Sequence, residues 1–260
     1  MMSDSSRVMS TRLRSKIMSA DDAAALVLHG ANVGMSGFTG SGYPKAVPFA
    51  LAHRIEEAHA RGEPFRIGVW TGASTAPELD GALAKVNGID LRLPYQSDPI
   101  TRERINAGIM DYIDIHLSHV AQFVWFGFLG HLDIALVEVA AILPDGSLVP
   151  STSIGNNKTW LDQADRIILE VNSWMNPALQ GMHDIYYGTK LPPHRTPIPI
   201  LAPGDRIGET TFRCDPSKVI AVVETNAPDR NTTFAPPDQT SKAIAGHILE
   251  FLGHEVRRGR

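Results

Sequence analysis

The chain has 260 residues, a net charge of −4 at neutral pH and 43% hydrophobic residues, which is typical of an ordinary globular protein with one large core. The slightly acidic balance, with no basic stripe before the last four residues, argues against nucleic-acid binding. No apolar run reaches the roughly 18 residues that cross a bilayer, and the single cysteine, Cys214, excludes an internal disulfide framework and fits a reducing compartment. We therefore expect a cytoplasmic protein that binds neither nucleic acid nor a membrane.

The first predicted elements are a helix and a strand that lead into a glycine-rich loop. The helix begins at the capping residue Ser19, carries two acidic residues in its first turn and ends at Gly30. Apolar residues from Ala31 predict a buried strand that runs into the sequence GMSGFTGSGYPK, residues 34–45. Such a loop between a strand and a helix is where α/β proteins hold an anionic or carbonyl group on backbone N–H donors. The spacing matches neither the dinucleotide fingerprint nor the P-loop, and a tight loop without a ligand is the alternative.

A second unit of the same kind follows. Residues 48–60 carry the apolar periodicity of a helix, and residues 66–70 (RIGVW) predict a short buried strand. That strand leads into a second loop of small residues, 71–77 (TGASTAP). Two successive units of this kind predict that strand ends meet along one edge of a parallel sheet, which is where open α/β sheets bind their ligands.

The middle of the chain is predicted to hold short elements and no metal site. The expected elements are a loop with a short helix over 92–111, a strand over 112–115 and a short helix over 116–122. His116 and His119 lie three residues apart and His131 follows, but no acidic residue or cysteine stands at a matching distance. We therefore expect no metal ion here.

The second half of the chain predicts further strands and a closing helix. Strands are expected over 133–142, 166–171 and 218–223, and a turn at 145–146 predicts a hairpin into 148–150. The proline-rich segment 191–204 is predicted to be extended and irregular, without a domain boundary, because apolar strands continue on both sides. The last helix is predicted to begin at Asp238 and to end at Gly253.

Two carboxylates interrupt apolar strands and are the first candidates for chemistry. Glu138 and Glu170 are each expected to be at least partly buried, and a carboxylate in an apolar setting must be paired or protonated. Either residue is then a candidate nucleophile or general base. The alternative is a structural role, in which the carboxylate is tied to a backbone N–H or to an arginine.

Four other side chains are candidates on or near the predicted loops. Ser36 and Ser74 lie on the two small-residue loops, but neither stands in G-x-S-x-G, so a Ser-His-Asp hydrolase is poorly supported. Arg230 follows the last predicted strand, and its planar guanidinium suits a carboxylate or phosphate, although a merely solvated arginine is more common. Cys214, beside Arg213, is either a low-pKa thiol or a passive thiol at a strand edge.

Several of these segments resemble the motifs of the acetyl-CoA hydrolase/transferase family, which includes succinyl-CoA:acetate and propionyl-CoA:succinate CoA-transferases. GMSGFTGSGYPK and TGAST are two of the matching segments, and the resemblance covers nearly the whole chain from about Arg12. The other matching segments are RINAG (104–108), EVNSWMNP (170–177), GMHDI (181–185), DRN (229–231), APPD (235–238) and GHEV (253–256). The resemblance implies the α/β CoA-transferase (NagB/RpiA-like) fold, an open, mostly parallel sheet with helices on both faces.

The resemblance also implies how the chain is organised. Family members have two similar α/β halves that face each other across the active site, and this chain resembles the N-terminal half alone, as residues 12–256 after a flexible N-terminus over 1–11. In the family a glutamate attacks the acyl-CoA, giving a mixed anhydride and then a glutamyl-CoA thioester. That glutamate, the oxyanion-hole glycines and most CoA contacts lie in the second half. The resemblance therefore implies no catalytic residue in this chain and a structural role for Glu138 and Glu170.

The substrate-binding residues implied by the resemblance come from the loops. They are Ser36, Gly37, Phe38, Thr39, Gly40, Gly42, Gly72, Ser74, Arg230 and Asn231. Ser74 and Arg230 are implied to face the acyl or carboxylate end of the cleft. The implied substrates are a coenzyme A thioester and a small carboxylate such as acetate or succinate, with no bound cofactor. The implied partners are the C-terminal half domain and further copies of the chain.

Three functions follow as alternatives. The first is the N-terminal half of an acyl-CoA:carboxylate CoA-transferase, inactive by itself. The second is part of an acetyl-CoA hydrolase, in which water replaces the carboxylate acceptor. The third is a stand-alone, non-catalytic binding or assembly subunit that pairs with a separate C-terminal-half chain. The first two share the glutamyl route and differ only in the acceptor.

Overall fold

The core of the molecule is one β-sheet. The computed structural model describes residues 7–187, 190–231 and 233–259, and within them the sheet has eight strands. They are β1 (Asn32–Met35), β2 (Ile67–Trp70), β3 (Ile89–Leu93), β4 (Asp111–Tyr112), β5 (Ile134–Ile142), β6 (Leu148–Pro150), β7 (Arg166–Asn172) and β8 (Val219–Thr225). The predicted α/β class with an open, mostly parallel sheet is confirmed.

The strand order contains a point at which the direction of strand addition reverses. The order is β4-β3-β2-β1-β5-β7-β8, with parallel neighbours, and β6 pairs antiparallel with the last part of β5. From β1 the chain adds strands on one side, and from β5 it adds them on the other. The carboxyl edge between these two strands is therefore the crevice in which open α/β sheets bind ligands.

Helices pack on both faces of the sheet. The helices among the described residues are α1 (Thr11–Arg14), α2 (Ala20–Ala25), α3 (Ala46–Ala60), α4 (Ala82–Lys85), α5 (Pro99–Asn106), α6 (Leu117–Trp125), α7 (Asn157–Gln163) and α8 (Gln239–Arg257), with a π-helical turn at Pro77–Gly81 and a 3-10 turn at Pro177–Leu179; of these, α8 contributes no residue to either core. Alternate residues of β5 point to opposite faces of the sheet. Ile134 and Leu136 belong to the core formed with α2 and α3, whereas Ala135 and Val137 belong to the core formed with α6 and α7. Burial on both sides explains why the central strands read as apolar runs.

Most predicted elements are present, with differences at their ends. Ser19 caps α2 by accepting the N–H of Asp22 at 3.1 Å, although the helix ends at Ala25 rather than near Gly30. The predicted hairpin between β5 and β6 is present. The strand expected over 112–115 is shorter, at Asp111–Tyr112.

Strand β3 and helix α7 are elements that the sequence analysis misses. In β3 the charged residues Asp90 and Arg92 break the apolar pattern, so the segment reads as a loop. Arg92 is nevertheless fully buried, because an ion pair with Asp80 compensates its charge. Tertiary pairing thus overrides the local pattern.

The two ends of the chain pack differently. Of the flexible N-terminus expected over 1–11, residues 1–6 lie outside the described residues, while Val8 is fully buried and its backbone bridges Ile142 of β5. Helix α8, by contrast, has no buried residue. Among the described residues, no helix is both long enough and apolar enough to cross a bilayer.

Candidate functional site

Three loops meet at the carboxyl edge of the sheet. They are the glycine loop (36–44, after β1), the second loop (71–76, after β2) and the post-β8 loop (226–231). The backbone N–H of Thr39 donates to the carbonyl of Ser74 at 2.8 Å. The hydroxyl of Ser41 donates to Oδ1 of Asn231, 190 residues away in sequence, at 2.5 Å. The fold therefore brings the predicted strand-end loops into direct contact.

Two glycines permit the close approach of these loops. Gly40 has a φ of +85°, and a Cβ atom there would lie 2.3 Å from the carbonyl oxygen of Arg230. A Cβ atom on Gly72 would lie 2.8 Å from the carbonyl oxygen of Gly37. Any side chain at either position would force the loops apart, so glycine is needed for the contact and not only for the turn.

The two loop serines are fully buried. Ser36 Oγ accepts the backbone N–H of Glu138 at 2.8 Å, which joins the glycine loop to β5. Ser74 Oγ donates to Oε1 of Gln96 at 2.6 Å. In this structure both hydroxyls therefore hold the loops in position, and neither lies on the surface.

Beneath the loops, Lys45 lies between two buried carboxylates. Its Nζ is 2.6 Å from Oε2 of Glu138 and 2.9 Å from Oδ1 of Asp229, and the three side chains are at most 5% exposed. Asn172 donates a further hydrogen bond to Glu138 Oε2 at 3.0 Å. Asp229 in turn accepts the backbone N–H of Gly42 at 3.2 Å. Lys45 therefore ties β5 and the glycine loop to the post-β8 loop.

Glu138 and Glu170 both have structural partners. Burial raises the pKa of Glu138 to about 8, because the charge of Lys45 only partly offsets the loss of solvation and nearby carboxylates repel the ionised form. Glu170 accepts the backbone N–H groups of Lys45, Ala46 and Val47 at the start of α3, at distances from 2.6 to 3.1 Å. Burial raises the pKa of Glu170 too, and these donors oppose that shift. Glu170 is thus a carboxylate tied to backbone N–H groups.

A buried ion pair anchors the second loop. Nη2 of Arg92 lies 2.9 Å from Oδ1 of Asp80, and both side chains are fully buried. Asp80 also accepts the backbone N–H of Thr75 at 2.7 Å, and Arg92 donates to Oγ1 of Thr71 at 2.8 Å. The two ends of the loop are therefore each held by one member of the pair.

The residues that stay exposed form the rim of the site. The Phe38 side chain is 42% exposed, and Thr39 and Asn231 are exposed beside it. Arg230 has 66% of its side chain in solvent, and its Nε lies 2.5 Å from Oε1 of Glu78. Of the predicted site residues, the rim therefore offers these four side chains to a ligand, whereas the predicted glycines, Gly37, Gly40, Gly42 and Gly72, are buried.

Some charged groups at this edge escape the sequence analysis. They are Lys45, Asp80, Arg92 and Asp229. A signal for Lys45 exists in the sequence, because a strand carboxylate such as Glu138 requires a cation and Lys45 follows the glycine loop directly. No local signal marks Asp80 and Arg92, since their pairing is created by the packing of a helical turn against β3.

The remaining candidates lie away from this edge. Burial raises the pKa of the Cys214 thiol to about 11, so it is the passive thiol of the two alternatives. His131 pairs with Asp165 at the surface at 2.8 Å. Among the described residues, no cluster of three or more His, Cys, Asp or Glu side chains is arranged to hold a metal ion.

Comparison with known proteins gives independent evidence on the family of the chain. Residues 1–224 match the family model of the acetyl-CoA hydrolase/transferase N-terminal domain. Over 254 residues the chain is 41% identical to a succinyl-CoA:acetate CoA-transferase of Clostridium kluyveri, covering 98% of this chain and 46% of that protein. Over 265 residues it is 39% identical to an acetyl-CoA hydrolase of Schizosaccharomyces pombe, covering 98% of this chain and 50% of that protein.

Solved structures agree at the level of the fold. Glutaconate coenzyme A-transferase from Acidaminococcus fermentans superimposes with a TM-score of 0.52 at 11% identity, covering 81% of this chain and 76% of that chain. At this identity the similarity concerns the fold alone. The chain spans about half the length of the curated relatives it matches.

Proposed function

The chain belongs to the acetyl-CoA hydrolase/transferase family, whose N-terminal domain it represents, and on that premise we propose that it supplies the N-terminal half of an acyl-CoA:carboxylate CoA-transferase. The complete enzyme moves CoA from an acetyl, propionyl or succinyl thioester to a small carboxylate. The observation that carries the proposal is the meeting of the glycine loop, the second loop and the post-β8 loop at the switch point of the sheet.

In this proposal the three loops form one wall of the substrate cleft. The loop from Ser36 to Gly42 and Gly72 build it, with Phe38 and Thr39 exposed at its surface and with the buried hydroxyls of Ser36 and Ser74 holding the loops in place. Arg230 binds the substrate carboxylate, which is supported by its exposure and by the bidentate geometry of a guanidinium. No resident cofactor or metal ion is needed, because coenzyme A enters as part of the substrate.

The catalytic nucleophile is proposed to lie in the second half. This is supported by the burial of both glutamates in the strands of this chain. Glu138 is paired with Lys45, and Glu170 is saturated by three backbone donors, so neither carboxylate is presented to an acyl-CoA. The chain alone is therefore proposed to be inactive.

The exposure of helix α8 supports the proposal of a partner domain. None of its 19 residues is buried. Its apolar stripe, with each residue 49–72% exposed, consists of Ile244, Ile248, Phe251, Leu252 and Val256. An exposed stripe at this spacing is typical of a helix that packs against another surface. We propose that the C-terminal half covers it, and that copies of the chain associate through it when that half is absent.

Acetyl-CoA hydrolysis is the second candidate, favoured by the similarity to the fungal hydrolase. It requires the same wall, with water in place of the acceptor carboxylate. A third candidate is a stand-alone assembly subunit that pairs with a separate second chain, which the half-length coverage of the relatives allows. We also propose a role in acetate metabolism and a cytoplasmic location, the latter supported by the single thiol.

A mixing experiment tests the proposal. The chain is combined with the separately produced C-terminal half of the Clostridium kluyveri transferase, and transfer of CoA from succinyl-CoA to labelled acetate is measured. Borohydride added during turnover reduces any glutamyl thioester to an alcohol, which mass spectrometry locates. We expect transfer only in the mixture, with the modified glutamate in the added half.

Two controls make the result decisive. A double variant, Ile248→Glu with Leu252→Glu, changes exposed residues of α8, so we expect an unchanged unfolding midpoint but loss of association and of transfer. Modification of Glu138 or Glu170 in the chain alone would contradict the proposed location of the nucleophile. Release of free acetate from acetyl-CoA without transfer would favour the hydrolase.

A further inference from the structure

The exposed guanidinium of Arg230 is held by a carboxylate from the same chain. Glu78, which follows the second loop, places Oε1 2.5 Å from Arg230 Nε. The hydroxyl of Tyr43 donates to the other oxygen, Oε2, at 3.2 Å. Tyr43 is fully buried, and the Glu78 side chain is 26% exposed. The buried Tyr43 therefore holds one oxygen of Glu78, and the other oxygen faces Arg230 at the rim.

This pair changes what Arg230 offers to a ligand. A guanidinium has five N–H donors, and a carboxylate on Nε leaves donors on the two terminal nitrogens for a second anion. The pair as a whole, however, carries no net charge. An incoming carboxylate therefore meets a correct hydrogen-bonding geometry together with repulsion from Glu78, and the repulsion grows with the number of negative charges on the ligand.

We propose that Glu78 is a specificity-determining residue that occupies one edge of Arg230 and makes it select monocarboxylates over dicarboxylates. This inference rests on the proposed function in one respect, the assignment of Arg230 as the carboxylate-binding residue. Glu78 acts through Arg230 and does not itself contact the reacting atoms. It also holds the guanidinium at the rim when no substrate is bound, because the contact joins the π-helical turn after the second loop to the post-β8 loop.

Binding of two simple anions to this chain tests the inference. Acetate and succinate are titrated into the wild-type chain and into Glu78→Gln, with affinity followed by NMR and the Arg230 Nε–H signal recorded in the same spectra. Gln retains the size of the side chain and an acceptor for Tyr43, but it lacks the charge. We expect acetate to bind about fivefold more tightly to the variant, and succinate to gain by a larger factor, about tenfold or more.

Matched variants separate a specific effect from a change in overall charge. Glu57→Gln removes an equal charge from an exposed position of α3, and we expect it to leave both affinities unchanged. Glu78→Gln combined with Arg230→Gln should lose the gain completely. Glu78→Ala serves as a second variant if the glutamine rearranges, and it should show the same preference for succinate.

The outcomes distinguish this inference from the proposed function. A gain for succinate that exceeds the gain for acetate, that depends on Arg230 and that accompanies a shift of the Arg230 Nε–H signal supports the role of Glu78. Equal affinities in the wild type, Glu57→Gln and Glu78→Gln overturn it, as does a gain that persists without Arg230 or the absence of Arg230-dependent binding in every variant. The transfer assay with the added C-terminal half tests the proposed function independently and can succeed in each of those cases.

Discussion

The Nζ atom of Lys45 lies 2.6 Å from Glu138 Oε2 in a site where both side chains are almost fully buried. Lys45 also contacts Asp229 at 2.9 Å, so one cation faces two carboxylates. The remaining oxygen of Glu138, Oε1, is buried without a hydrogen-bond partner among the described residues. An excess of negative charge and an unsatisfied oxygen both favour protonation of Glu138, whose pKa is raised.

Stability is therefore expected to depend on pH through Glu138. Burial raises its pKa from 4.5 to about 8, so the folded chain keeps a proton that the unfolded chain releases. This contribution to the free energy of unfolding is fully present below about pH 4.5 and is lost as pH rises to about 8, by at most about 1.4 kcal/mol per pH unit. Glu138→Gln has no such proton, so its stability relative to the wild type should improve as the pH rises. Urea denaturation at several pH values between about 5 and 8 measures the difference.

The control is an exposed carboxylate with the same substitution. Glu57→Gln on α3 should leave the pH dependence of the wild type unchanged. Parallel stability curves for the wild type and Glu138→Gln would show that Glu138 is ionised in the folded state throughout this range, and that the pair with Lys45 outweighs burial.

Most elements of the fold can be predicted from local patterns in the sequence. Apolar strands, the Ser19 cap and the turn at 145–146 all have local causes, and the structure contains each of them. The convergence of the glycine loop and the second loop also follows, because parallel strands end at one edge. Arg230 joins that edge for the same reason, since it lies in the loop that follows the last strand.

The pairs of Arg92 with Asp80 and of Arg230 with Glu78 have no comparable local signal. Arg92 lies in β3, and its charge breaks the apolar pattern by which a buried strand is predicted. Its partner Asp80 comes from a helical turn. The pairing of Arg230 with Glu78 likewise depends on how the π-helical turn after the second loop packs against the post-β8 loop. Local periodicity indicates which residues are apolar, but it carries no information on which charged residues, distant in sequence, form ion pairs. These ion pairs position the loops of the site.

The contact of Gly40 with Arg230 predicts a difference between two otherwise similar glycines. Gly40 and Gly62 have φ values of +85° and +76°, but a Cβ atom would lie 2.3 Å from the Arg230 carbonyl at Gly40 and would meet nothing within 4 Å at Gly62. Both alanine variants should lose about 1 kcal/mol from backbone strain. Gly40→Ala should lose more and should also shift the NMR signals of Arg230 and Asn231. Equal unfolding energies, with no shift at Arg230, would show that Gly40 does not lie against the Arg230 carbonyl in solution.

The buried pair of Arg92 and Asp80 predicts strong coupling between two substitutions. Arg92→Met leaves Asp80 as an uncompensated buried charge, so we expect a loss of about 3–5 kcal/mol in the free energy of unfolding, and Asp80→Asn leaves Arg92 in the same condition. Adding the second substitution removes the remaining charge, so the double variant should be less destabilised than the sum of the single ones, by about 1–3 kcal/mol. Urea denaturation of the four proteins gives this coupling energy directly.

An exposed pair of the same kind provides the reference for that cycle. Arg61 and Glu63 are 2.9 Å apart with side chains 57% and 59% exposed, and the cycle of their glutamine variants should give a coupling energy near the error of measurement, because solvent screens the pair. Additive losses at Arg92 and Asp80 would instead mean that the hydrogen bonds to Thr71 and Thr75, and not the ion pair, hold the second loop. In that case the position of the loop would depend on the separate hydrogen bonds that Arg92 donates to Thr71 and that Asp80 accepts from Thr75, and Arg92→Lys, which keeps the charge but lacks the planar fork, should be as destabilising as Arg92→Met.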